Sequence, residues 1–174
     1  TLLMFNISSA SLPFENPQGG PDDGGYYWSS SKSDSLLDFT WIDIDSVASQ
    51  IQFPNNDESS GAVPIGFSFP FFDNQYGECV NNPNGWIVFG EDNTQWTNGG
   101  LPNDEGPQNA IFGFWDDLNP INNNPSCSNE PEGYVYHQSF TDKEVVWFNE
   151  VVRCGSNEDY TALLDIQIIK RKFF

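Results

Sequence analysis

Large apolar residues stand at alternate positions in Ile65-Gly66-Phe67-Ser68-Phe69-Pro70-Phe71. They do so again from Tyr160 to Ile169, where Tyr160, Ala162, Leu164, Ile166 and Ile168 fall on one side. A period of two marks a β-strand with one packed and one exposed face. Pro70 cannot donate to a ladder, so the first of these strands is expected at a sheet edge or bulged there. Further strands are expected near 39–45, 85–90, 110–116, 133–139 and 144–152. The stretch Val145-Val146-Trp147-Phe148 is apolar on both faces, which fits a central or covered strand. Helical periodicity is nearly absent, and clusters of Gly, Pro, Asn, Asp and Ser punctuate the apolar runs. The pattern predicts an all-β fold, an antiparallel, jelly-roll-like β-sandwich, as one domain over 15–174 preceded by an extension at 1–14. Two long loops, 15–35 and 117–132, interrupt the rhythm, and loops of this length in a compact domain are usually functional or tied down.

Composition narrows the classes of function. Among 174 residues, 25 Asp+Glu face 6 Lys+Arg, a formal charge of −19. Phosphate neutralisation needs clustered Lys/Arg, so nucleic-acid binding is excluded, and docking on an anionic membrane surface is disfavoured for the same reason. No apolar run approaches the ~20 residues of a spanning helix. The 15 Phe, 6 Trp and 6 Tyr provide enough surface to bury that disorder is not expected despite the charge. Cys79, Cys127 and Cys154 lack the close spacing of a zinc site. In a secreted protein they make one disulfide and one leftover thiol, and Cys127 with Cys154 is the expected pair because both flank the same two strands. Low Lys with abundant Asp and Asn, and the sequon Asn6-Ile7-Ser8, are in keeping with an extracellular chain. The first residue is Thr, as in a processed or excised chain.

Three segments carry a resemblance. The first is Gly19-Gly20-Pro21-Asp22 with Gly25-Tyr26, leading to Phe39-Thr40-Trp41-Ile42-Asp43-Ile44. The second is Pro64 to Phe72 with Tyr76, then Asn84-Gly85-Trp86-Ile87-Val88-Phe89-Gly90. The third is Phe114-Trp115-Asp116-Asp117-Leu118-Asn119-Pro120, followed by Gly133-Tyr134-Val135-Tyr136 and Val145-Val146-Trp147. Together, over about residues 18–170, they resemble the nidogen-like β-sandwich modules of bacterial secreted and surface proteins. The resemblance implies a fold and an extracellular compartment, with no general catalytic assignment. The chain departs from the usual pattern in reading Asn82-Pro83 before Asn84-Gly85, in a Cys-containing loop at 121–132, and in ending at Phe174 where such modules add a closing strand.

Candidate chemistry is sparse. Asp116, Asp117 and Asn119, joined by Asp22 and Asp23 of the glycine-rich loop, suit a hard cation such as Ca²⁺. The plainer reading beside it has Asp116 capping a turn, Asp117 solvated and Asn119-Pro120 ending the strand. Trp96 among Asn93, Thr94, Gln95 and Asn98, and the run Tyr26-Tyr27-Trp28, offer aromatic platforms for a carbohydrate; the alternative is rings packed under loops. Trp41, Trp86, Trp115 and Trp147 lie in expected strands and read as core. Asp116 and Asp117 diverge as strand neighbours, and Glu144 and Glu150 share a face at roughly 20 Å, so neither pair suits glycoside hydrolysis. His137 is the sole histidine and no Gly-x-Ser-x-Gly elbow exists, so a Ser/His/Asp hydrolase is not expected. Cys79 has no evident cationic neighbour to make it a nucleophile.

The expected function is therefore non-enzymatic: an extracellular surface, adhesion or structural module. The strand-like Leu2, Leu3, Met4, Phe5 and Ile7 suggest that it assembles head to tail by lending its N-terminal strand to an open sheet edge of the next copy. Folding of that segment onto its own sheet, and a truncated chain, are the alternatives. The second function in view is a Ca²⁺-assisted carbohydrate-binding accessory module of a secreted enzyme.

Overall fold

The computed structural model describes residues 18–30, 40–91, 94–101, 106–121, 133–154 and, as backbone, 164–171. Eleven strands appear there: β1 (Gln18–Gly19), β2 (Trp28–Ser29), β3 (Ser49–Gln50), β4 (Val63–Phe71), β5 (Asn74–Asn82), β6 (Trp86–Val88), β7 (Ala110–Phe112), β8 (Leu118–Asn119), β9 (Tyr134–Ser139), β10 (Lys143–Arg153) and β11 (Leu164–Arg171). Among the described residues there is no helix, and hence none long and apolar enough to cross a membrane. One sheet runs β4-β5-β6-β7. The other runs β11-β10-β9-β3, with β8 paired to the end of β10, while β1 and β2 form a small hairpin. Every pairing is antiparallel. The β-sandwich read from the periodicity is the fold.

The alternation in β4 sets the interior. Val63, Ile65, Phe69 and Phe71 are buried, whereas Pro64, Gly66 and Ser68 face out. Phe69 and Phe71 stack at 6.2 Å and Phe89 fills the space beside them, 5.2 and 4.8 Å from each. Phe67 is half-buried and meets Phe69 edge-on at 6.4 Å. From the facing sheet Val135, Val146, Phe148 and Val151 complete the same core. Burying each such side chain contributes about 1.5–3 kcal/mol, so this layer dominates stability. The strand carrying Pro70 lies at a sheet edge, and its pairing with β5 is irregular between Pro64 and Phe69.

Four expectations need correction. No strand spans the described part of 39–45. Asp43 instead accepts the Asp45 N–H at 3.1 Å, and Ile44 closes a turn by accepting the N–H groups of Val47 and Ala48. Such Asx contacts compete with a ladder. Trp41 accordingly is not core: it is 39% exposed, with its edge against Trp147. Trp147 is partly buried, whereas Trp86 and Trp115 are buried as expected. The strand expected over 110–116 ends at Phe112, because the N–H groups of Gly113 and Phe114 turn to the Gly85 carbonyl. Finally, β5 was not expected at all; its first half is polar and largely exposed, with no alternation to mark it.

Candidate functional site

The most connected polar feature is a knot at the turn between β5 and β6. The Asn82 side-chain oxygen accepts the Asn84 N–H at 2.8 Å, and the Asn84 side-chain oxygen accepts the Leu118 N–H at 2.8 Å. The Asn84 carbonyl accepts the Asp116 N–H, and the Gly85 carbonyl accepts those of Gly113 and Phe114. Gly85 sits at φ +96, and a Cβ on it would lie 1.8 Å from the Phe114 carbonyl oxygen. Only glycine fits both requirements. The Asn-Gly turn and the Trp-Asp-Asp-Leu-Asn run, both singled out in the sequence, are thus two halves of one structure.

Of the residues considered for a cation, Asp116 lies at this knot. Asp116 Oδ1 accepts the Asp117 N–H at 2.9 Å, and its Oδ2 accepts Nε of Arg153 at 3.0 Å. Asn119 is fully buried opposite Val152, and neither atom of its amide has a hydrogen-bond partner. In the β1–β2 loop, Asp22 Oδ1 accepts the N–H groups of Gly24 and Tyr26 at 2.9 and 2.8 Å, while Asp23 is exposed. Among the described residues no three of His, Cys, Asp and Glu gather as metal ligands. Of the five residues, Asp22 and Asp116 thus serve a turn and an ion pair.

The aromatic candidates divide. Tyr26 anchors its loop: its hydroxyl accepts the N–H of Phe72, and its ring lies 4.8 Å from that of Phe72 and 6.1 Å from Phe71. Phe72 holds a left-handed backbone, φ 49, which is unusual for a bulky residue. Tyr27, Trp28 and Trp96 are exposed, at 63%, 49% and 51%. Beside the loop bearing Trp96 an open cleft of about 500 Å³ is lined by Tyr76, Phe89, Glu91, Pro107, Gln108 and Asn109.

One buried cluster escaped the sequence. Glu144 is fully buried; Cys79 donates its thiol to Glu144 Oε2 at 3.9 Å, and His137 Nδ1 lies 3.8 Å from Glu144 Oε1. By counting, Glu144 and Glu150 share a face, but β10 bulges between Phe148 and Val151, so Glu150 is exposed at φ 52 while Glu144 points into the core. Glu144 is enclosed, while the His137 side chain beside it is 20% exposed. Cys79 is a buried thiol outside any disulfide, and Cys154 is disulfide-bonded. Cys127 and the segment Leu2, Leu3, Met4, Phe5 and Ile7 lie outside the described residues.

Comparison with known proteins adds one finding. A family model described as NIDO related matches residues 32–164, well over half of the chain. No curated protein and no solved structure matches it.

Proposed function

This chain belongs to the nidogen-related family, and on that premise we propose that it is a non-enzymatic extracellular surface, adhesion or structural module that joins copies of itself by strand addition. The observation that carries the reading is the edge of β11. Eight residues long and free of proline, β11 pairs along one side with β10, and no described strand occupies its other side. Among the described residues the other edges of the two main sheets are irregular or short: β4 contains Pro64 and Pro70 and an irregular pairing, β7 has three residues, and β3 and β8 two each. A long regular edge is a template for another strand, and natural sheets usually blunt it. In this proposal Leu2 to Ile7 of a neighbouring copy supplies that strand, giving a head-to-tail contact that does not close. A Cys127–Cys154 bridge belongs to the same reading and suits an oxidising compartment.

The charge of −19 opposes assembly until salt screens it; the screening length falls from ~10 Å at 0.1 M to ~3 Å at 1 M. Light scattering coupled to size exclusion tests the proposal. The full chain is expected to form larger species that grow with salt, and a variant lacking residues 1–14 to remain monomeric. Assembly of the shortened form, or monomers of the full chain at every salt concentration, would reject it.

A further inference from the structure

Four aromatic rings run in sequence across the outer face of the β9–β10 sheet. Tyr134 and Tyr136 lie 6.0 Å apart, Tyr136 and Trp147 5.6 Å, and Trp147 and Trp41 5.8 Å. This face is opposite the inter-sheet core: Tyr136 and Trp147 pack on a separate cluster around Ile44 and Val145, while Val135, Val146 and Phe148 point inward. Trp41 is 39% exposed and the other three rings are partly exposed. The strip is therefore neither sealed core nor isolated surface aromatics.

Its setting selects a kind of ligand. Tyr136 is in register with Trp147 on one side and with Gln50 of β3 on the other, and Trp147 is in register with Gln167 of β11. An amide residue, Gln50, thus stands at one end of a two-ring row that crosses β3, β9 and β10, about 10 Å at ~4.8 Å per strand. On this face no charged residue occurs from Tyr134 to Gln138 of β9 or from Val145 to Asn149 of β10, although the chain as a whole carries −19. Aromatic faces pack on the C–H faces of sugar rings, and amides hydrogen-bond hydroxyls as both donor and acceptor. A polyanion would be repelled by the protein's field, and the stretches of β9 and β10 under the rings offer a cationic ligand no carboxylate. From these observations we infer that the outer face of β9 and β10 binds a neutral polysaccharide chain, with Trp41 and Trp147 stacking on the sugars and Gln50 fixing their orientation.

The inference is independent of strand addition at β11, since it uses the face of the sheet and not its edge. Affinity electrophoresis of the full chain at low salt, through gels containing a neutral glucan, mannan, xylan or galactan or an acidic polygalacturonate, tests it. At least one neutral polymer is expected to retard the protein. Trp41→Ala and Gln50→Ala, both at exposed positions, are each expected to weaken that retardation roughly tenfold without lowering the melting temperature. Trp96→Ala is expected to leave it unchanged. Two variants are used so that a folding defect in one leaves the other to decide. No retardation by any neutral polymer, retardation by polygalacturonate alone, or binding that survives both Trp41→Ala and Gln50→Ala overturns the inference. Binding lost on Trp96→Ala instead would place the sugar site in the loop and overturn it equally.

Discussion

The side-chain oxygen of Asn84 accepts the backbone N–H of Leu118 at 2.8 Å, joining two fully or nearly fully buried residues that are 34 positions apart. The bond fastens the β5–β6 turn of one sheet to β8, which pairs with β10 of the other. Leu118 also belongs to the main core, so the knot fixes where the two layers meet.

Asn84→Ala removes this bond and leaves the Leu118 N–H buried without its acceptor, a loss of about 1–3 kcal/mol. Gly85→Ala is expected to be worse, because the added methyl meets the Phe114 carbonyl and the backbone is left-handed. Urea titration of the two variants checks the ranking. Equal midpoints to the parent chain would show that the knot contributes nothing to stability.

Tyr26→Phe removes only the hydroxyl that accepts the Phe72 N–H. An exposed bond of this kind is worth about 0.5–1.5 kcal/mol, so a small fall in melting temperature is expected. The sharper reading is local: amide exchange at Phe72 should accelerate while that of Val146 in the core stays slow. Exchange at Phe72 that ignores the substitution would mean the turn holds its left-handed residue without the clamp.

Glu144→Ala is expected to destabilise by about 3 kcal/mol or more, since it empties a buried site and strips His137 and Cys79 of their shared partner. Glu144→Gln keeps the volume and should cost less. Cys79, 1% exposed, should react with a thiol reagent only as fast as the native chain opens, and faster in Glu144→Ala. A fast reaction in the untreated native protein would contradict the burial described.

Arg153→Ala breaks the ion pair with Asp116, whose side chains are 55% and 20% exposed. Pairs in such positions contribute ~0–1 kcal/mol, and screening by salt should shrink even that. Because both Asp116 oxygens and Asp22 Oδ1 already accept hydrogen bonds from the protein, millimolar Ca²⁺ and its removal by chelator are expected to leave the melting temperature unchanged. A rise with Ca²⁺ would support a cation held by these aspartates.

Much of this architecture was legible because period-two alternation is a local signal. The burial of Ile65, Phe69 and Phe71, and the two-faced apolar character of β10, follow from side chains alternating along a pleat. What failed needed information that no short window holds. Phe39 to Ile44 look like a strand, but Asp43 captures backbone that a strand would have used. The first half of β5 is polar because it faces solvent, so nothing in its composition separates it from a loop. Glu144 and Glu150 fall on one face by counting and on different ones in the structure, since one bulge shifts the phase between them. Asn84-Gly85 reads correctly as a turn, but that its amide reaches Leu118 is a tertiary fact. The aromatic strip was hidden in the same way, for Trp41 and Trp147 meet only once the segment before β3 lies over the sheet.

No described strand occupies the outer edge of β11, and residue-resolved amide exchange over Leu164–Arg171 tests most directly whether a neighbouring copy does. In the salt-driven assembly of the full chain, alternate amides of β11 are expected to become protected, and that protection should be absent when residues 1–14 are removed. Assembly with exchange along β11 unchanged would contradict the account.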